Sequence, residues 1–420
     1  MSMPGGSRVY PGWLQVAATV AGTALNFVVI GAICFSIFVR PLQEEFGWQR
    51  GEIAIALTLT TFVQAIINPF FGVLLDRWGV RRLLLPSIVL LAALVASASL
   101  MTASLLHLYL IYLLIPVLGV GTGTIAYSRL LVSWFDRRRG LAIGIGLSGT
   151  GLGAMLVSPL LQLVVAEYGW REAYLVYAGL VLVISLPIAL LLVRDSPAAV
   201  GIPPEERDVQ PEGAAHGLAD PGLSLKQAVA TRQYRFMMIA YGLLGLGIGG
   251  VIAHLYPMML DQGLSSGMAA SAAGAMGAAM IVGRVSCGFL MDRFHAPYVA
   301  AAFLACPILG VGLFAVGVDS TTAVIATITI GLGVGAEFDS IAYLVSRYFG
   351  IRNFGKVYGQ IYGIFQVGHG IGPIALGVSH DRTGSYSDML WVLMVLIAGA
   401  VVLTATLGQY RVVRPEEQTA

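Results

Sequence analysis

Hydrophobic positions in this chain come in long blocks, not in short periodic bursts. Charge-poor runs occupy about 14–39, 52–75, 83–106, 107–133, 140–164, 172–193, 236–260, 267–290, 297–317, 321–346, 357–379 and 388–409, and short loops rich in arginine separate most of them. At a rise of about 1.5 Å per residue, each run can cross a hydrocarbon core about 30 Å thick as a helix. The runs do not alternate apolar and polar residues over about ten positions, as the strands of an outer-membrane barrel do. Glycine and proline recur inside them, which membrane helices tolerate better than soluble ones. The pattern predicts an all-α integral membrane protein of twelve transmembrane helices. The start of the chain lacks the basic flank, short apolar core and small-residue cleavage site of a secretory signal. The first helix is therefore expected to remain in the mature protein.

Composition narrows the class further. Of 420 residues, 57% are hydrophobic and 11% charged, and mean hydropathy is +0.82. A soluble domain carries roughly twice that charged fraction, so soluble and disordered classes are excluded. Three cysteines, Cys34, Cys287 and Cys306, sit inside the apolar runs without metal-ligand spacing and read as small packing residues. A net charge of +2 with no clustered basic face argues against nucleic-acid binding. No nucleophile–base pair or metal constellation is present. Neither enzymatic activity nor a cofactor nor a metal is expected.

Arginine placement sets the orientation. With the N-terminus in the cytoplasm, eighteen Lys and Arg residues fall on the inner side, among them Arg8, Arg77, Arg81, Arg82, Arg207, Arg411 and Arg414. Four fall outside: Arg40, Arg50, Arg171 and Arg382. Both termini are thus expected in the cytoplasm of a plasma (inner) membrane protein. The longest hydrophilic stretch divides the chain into a six-helix half, 1–193, a cytoplasmic linker, 194–235, and a second six-helix half, 236–420. The halves repeat: Gly72-Val-Leu-Leu-Asp76-Arg77 has its counterpart in Gly288-Phe-Leu-Met-Asp292-Arg293, and Trp134-Phe135 in Tyr348-Phe349. Two parallel six-helix repeats are one architecture of secondary transporters, with the site at midplane between them.

These residues carry a family resemblance. Gly72-xxx-Asp76-Arg77-x-Gly79-x-Arg81-Arg82 resembles the loop 2–3 motif of the major facilitator superfamily at every defining position. Trp134-Phe135-Asp136-Arg137-Arg138-Arg139-Gly140-Leu141-Ala142 resembles the opening of helix 5 in monocarboxylate porters, a look shared by oxalate/formate-type antiporters. The resemblance spans essentially the whole chain and implies the major facilitator fold, two pseudo-symmetric six-helix bundles. One motif is broken. The acidic residue that opens helix 1 in the porters is missing before Tyr10-Pro11-Gly12-Trp13, so no coupling role carries over there.

Ionisable residues within membrane helices are costly and read as functional by default. Arg284 lies eight residues before Asp292, about 12 Å along the helix, which places it near mid-depth. In the monocarboxylate porters an arginine followed four residues later by glycine binds the substrate carboxylate, and Arg284-xxx-Gly288 resembles this. A guanidinium offers a carboxylate a planar fork of donors; a structural salt bridge is the alternative. The porters also carry an aspartate one turn before that arginine, where this chain has Met280. A transported proton then needs another carrier: Asp339, Glu337 or His369. The two acids lie about 200° apart around one helix, so only one is expected to face the cavity, and Asp339 shares a stripe with Tyr343, Ser346 and Arg347. His369, Tyr127 and Tyr362 join Arg284 as candidate substrate contacts, with Arg284 and a protonated His369 suiting a dicarboxylate. Gate candidates are Asp76, Arg77, Arg81, Asp292, Arg293, Arg129 and Asp136, with an Arg129–Asp339 contact expected to close the inner side. Anchoring of the arginines at the membrane surface is the plainer alternative.

The reading that follows is secondary active transport of small organic anions, mono- or dicarboxylates, coupled to protons, by alternating access. Carboxylate exchange of the oxalate/formate type is one alternative, and a transporter-like sensor that moves nothing is another. The expected partners are a small carboxylate, protons and the lipid bilayer, and the chain is expected to be a monomer.

Overall fold

A computed structural model describes residues 10–203, 205 and 222–410, and every regular element among them is a helix. Arg8, Arg207, Arg411 and Arg414, together with 204 and 206–221 of the linker, lie outside the described residues. Twelve spans run in chain order: α1 (Gly12–Ile33), α2 (Gly51–Trp78), α3 (Val80–Leu100), α4 (Leu105–Leu118 and Thr124–Trp134), α5 (Arg139–Tyr168), α6 (Trp170–Leu192), α7 (Arg232–Asp261), α8 (Ser266–Met291), α9 (Ala296–Val316), α10 (Ser320–Tyr348), α11 (Phe354–Thr383) and α12 (Ser387–Ala405). Eleven of these are each long and apolar enough to cross a membrane, and α4 is split by a tight turn at Val120–Thr122. Several helices outrun their apolar runs by a turn or less, because hydrogen bonding continues into the polar flanks. Apolar side chains such as Ile66, Phe70, Val183 and Val395 stand exposed around the periphery, as contact with lipid requires.

A membrane interior supplies no water to an open backbone, so each helix break must be satisfied by protein. The break in α1 at Leu25–Asn26 meets that demand. Asn26 Oδ1 accepts from the backbone N–H of Val28 and Val29 at 3.0 and 3.1 Å, and its carbonyl accepts from Tyr177 OH at 2.8 Å. The N–H of Phe27 donates to Thr122 in the break of α4. The two interruptions thus repair one another.

The loop motif between α2 and α3 now has a physical account. Gly79 takes φ +80°, open to glycine and strained for other residues, and turns the chain sharply from α2 into α3. The next N–H but one, that of Arg81, donates to Asp195. The Arg81 guanidinium donates to the carbonyls of Ala189, Leu190 and Val193 at the end of α6, where a cation also meets the negative end of the helix dipole.

Candidate functional site

The turns α2–α3, α4–α5, α8–α9 and α10–α11 share one end of the bundle, called the basic end here, and the two halves are clamped together there twice. Asp76, near the end of α2, accepts from the N–H of Gly355 at 2.8 Å and of Lys356 at 2.9 Å, the first turn of α11. Asp292, just past α8, accepts from the N–H of Gly140 at 2.8 Å and of Leu141 at 2.9 Å, the first turn of α5. Each carboxylate pairs two N–H groups that a helix start cannot pair itself, and sits at the positive end of a helix dipole. Burial pushes the Asp292 carboxyl up to about 6, and the two N–H groups pull the other way. Glycine makes both approaches possible. A Cβ on Gly72 would fall 2.0 Å from the Gly355 carbonyl oxygen, and one on Gly288 would fall 2.2 Å from that of Gly140. A third tie runs from Arg347 to Asp136, at 3.1 Å to Oδ1 and 2.8 Å to the backbone carbonyl. Arg139 adds bonds to Asp136 and to Ser346 across the halves, both at 3.1 Å.

Removing one clamp should loosen this end. Asp76→Ala or Asp292→Ala leaves two N–H groups without their acceptor, and each is expected to raise the opening equilibrium about tenfold. The check is the labelling rate of Ala142→Cys, a fully buried position on α5, in a background lacking Cys34, Cys287 and Cys306. An unchanged rate in both variants would contradict the clamp.

At mid-depth the halves are joined by amides. Gln366 on α11 donates to Gln64 Oε1 on α2 at 2.9 Å, and Gln64 Nε2 donates to Tyr362 OH at 3.3 Å. Towards the opposite end, Gly267, Gly274 and Gly277 of α8 face space with no atom within 4 Å of a built Cβ. These amides and the clamps hold the halves together from mid-depth to the basic end.

Just inside that seal lies the charged cluster. Arg284 on α8 is 4% exposed and Asp339 on α10 fully buried, and Nη1 meets Oδ1 at 3.0 Å. The carboxylate missing at Met280 on α8 is thus replaced by one from α10. Close packing brings them together: Cβ atoms on Gly335 of α10 and Gly144 of α5 would strike the backbone of Met280 and Arg284 on α8. Phe338 projects between the two acids, half-exposed, with the Arg284 Cζ 5.7 Å from its ring centre. Glu337, two residues before Asp339 on α10, is 1% exposed. Glu337 and Asp339 are both buried, and of the two only Asp339 pairs with Arg284 among the described residues. Among the described residues, Arg284 Nε, Asp339 Oδ2 and Glu337 Oε1 are buried without a hydrogen bond. Such an accumulation is unusual in a folded interior, where buried polar atoms are nearly all paired.

Other expectations change as well. Arg129 does not meet Asp339. It lies 3.8 Å from Asp76 within its own half and donates to Ser133, because Asp339 is already taken by Arg284. Arg77 and Arg293 are exposed at the basic end, Arg293 stacked on Phe289 of its own helix at 3.8 Å, and Arg81 caps α6; none of the three bridges the halves. His369 is not beside Arg284. It packs on α7, where a Cβ on Gly249 would fall 2.6 Å from its Cα, and its ring meets Phe365, which in turn meets Phe338. Tyr127 lies buried against α1, its hydroxyl 1.8 Å from where a Cβ on Gly22 would be. Tyr362 does reach the interface, through Gln64. The buried residues Gln64 and Asn68 were missed. Their signal was present: Thr60, Gln64 and Asn68 recur every four residues in an otherwise apolar run, a polar stripe along one face of α2.

Comparison with known proteins places this geometry in a family. The family model described as Major Facilitator Superfamily matches residues 19–373. The chain is 28% identical over 413 residues to human (Homo sapiens) monocarboxylate transporter 11, covering 94% of this chain and 81% of that one. It is 27% identical over 406 residues to monocarboxylate transporter 13 of Rattus norvegicus, covering 94% and 87%. Among solved structures, the E. coli fucose:proton symporter FucP superposes with a TM-score of 0.70 at 15% identity, covering 96% of this chain and all of that one. A structure of FucP in the outward conformation gives 0.69 at 16% identity, covering 95% and 100%. With the split helices, the mirrored aspartate clamps and the glycine seams already in hand, the match leaves one conclusion: the chain belongs to the Major Facilitator Superfamily, a family of transporters and not of enzymes, and is related to the monocarboxylate transporters.

Proposed function

We propose that this chain carries small carboxylates across the plasma membrane by proton symport. Residues 1–193 and 236–420 rock about the closed seam, joined by 194–235. With the basic end in the cytoplasm, as arginine placement favours, the closed clamps correspond to an outward-facing, monomeric transporter with both termini inside. The observation that carries the reading is the buried Arg284–Asp339 pair, at 3.0 Å, with Arg284 Nε and Asp339 Oδ2 left without partners. At rest Asp339 neutralises Arg284. A proton on Asp339 cancels that attraction and frees the guanidinium, whose fork then holds the substrate carboxylate. The anion does not enter until the proton has, because a free carboxylate beside an ionised Asp339 would share one cation. Release towards the cytoplasm reverses both steps.

Asp339→Asn separates coupling from binding. An amide resembles the protonated acid, so exchange of labelled for unlabelled carboxylate should continue in proteoliposomes while accumulation driven by a pH gradient is lost. Wild-type uptake should alkalinise the outside medium, and a protonophore should abolish it. Uptake into anion-free liposomes that ignores a protonophore would overturn symport, and a strict need for internal anion would point to exchange.

A further inference from the structure

The charge inventory of the site does not balance for a plain anion. Two carboxyl groups, Glu337 and Asp339, are buried on α10, and of the two only Asp339 forms an ion pair with Arg284 among the described residues. Glu337 makes no ion pair with Arg284, and its Oε1 is buried with no hydrogen-bond donor among the described residues. Around it stand Tyr241, whose hydroxyl donates to Ser340, and Tyr362, whose hydroxyl accepts from Gln64. Neither is aimed at Glu337. His369, which would have been a second cation, is held off by the Phe338 and Phe365 rings. The cluster therefore has one cation, Arg284, already paired with Asp339, and beside it a buried carboxyl oxygen, Glu337 Oε1, without a hydrogen-bond donor among the described residues. Phe338 lies between them, a ring face suited to the carbons that would join the two and to a neighbouring positive charge.

We propose that the preferred substrates are zwitterions: small carboxylates that also carry an ammonium or similar cationic group, the carboxylate on Arg284 and the cation on Glu337. This rests on the assignment of Arg284 as carboxylate site. A bound zwitterion supplies the one donor that Glu337 lacks, and with Asp339 protonated the site then holds two positive and two negative charges. A dicarboxylate would set a second anion against Glu337. A plain monocarboxylate leaves Glu337 unpaired and requires it to keep a proton. Because Arg284 and Glu337 form no ion pair with each other among the described residues, the two charges of the substrate must be separated by several bonds.

The experiment is a competition series in proteoliposomes, scored as inhibition of labelled-substrate exchange. The probes are ω-amino acids from glycine to 6-aminohexanoate, each beside its unsubstituted parent from acetate to hexanoate. At least one amino acid should compete about tenfold better than its parent, the effect of one charge-assisted hydrogen bond. Glu337→Gln should bring that ratio near one, and Arg284→Lys should weaken both series. If Glu337→Gln does not fold, Glu337→Asp should shift the optimum to a longer amino acid. A wild-type ratio at or below one throughout, or a ratio untouched by Glu337→Gln, overturns the zwitterion assignment and leaves carboxylate transport standing. If neither series competes, both fall.

Discussion

Arg284→Ala is expected to abolish carboxylate binding and to destabilise the protein at once. Asp339 is fully buried and its one ion-pair partner is Arg284. Removing one member of a buried pair leaves an uncompensated charge, at a cost of about 3–5 kcal/mol. The double variant Arg284→Ala/Asp339→Ala removes that charge, so melting temperature should recover most of the loss while transport does not return. This pattern distinguishes a binding role from a merely structural bridge, for which the double variant would restore both. Arg284→Lys keeps the charge but loses the planar fork, and its carboxylate affinity should fall about tenfold to a hundredfold. Wild-type affinity in Arg284→Ala would remove the arginine from the site.

The second large effect is expected from two methyl groups. Gly72→Ala and Gly288→Ala place a Cβ 2.0 and 2.2 Å from a facing backbone oxygen, so each must hold the halves apart at the basic end by about an ångström. Overpacking of this kind costs about 1–3 kcal/mol, all of it in the closed state. Ala142→Cys labelling should rise about tenfold to a hundredfold, and turnover should fall because the cycle cannot complete its closure. Gly179→Ala, with no atom within 4 Å of the added carbon, serves as control and should leave both unchanged. Normal labelling in both clamp variants would mean that the seam tolerates the added atoms.

The two predictions draw on different depths of information. The glycines and aspartates of the clamps belong to a repeated sequence motif, and their ability to bridge helix ends could be read from residue types alone. That Asp76 serves α11 and Asp292 serves α5 could not, because the pairing crosses from one half to the other over more than 150 residues. Arg284 was legible as a charge at mid-depth. Its partner was not: placing Asp339 against it depends on how far α10 is rotated and how closely Gly335 lets it approach α8.

What the sequence determined by itself is whatever one helix or turn decides locally. Twelve spans follow from run length against membrane thickness. The family follows from motifs confined to single loops. Tertiary structure alone decided which charges meet. Arg129 turned to Asp76 and not to Asp339, and His369 was screened from Arg284 by two rings. Of Glu337 and Asp339, about 200° apart on an ideal helix, Asp339 alone paired with Arg284 among the described residues. The physical reason is that hydropathy is summed along the chain, whereas a buried ion pair depends on ångström-scale distances between helices that the chain order does not relate.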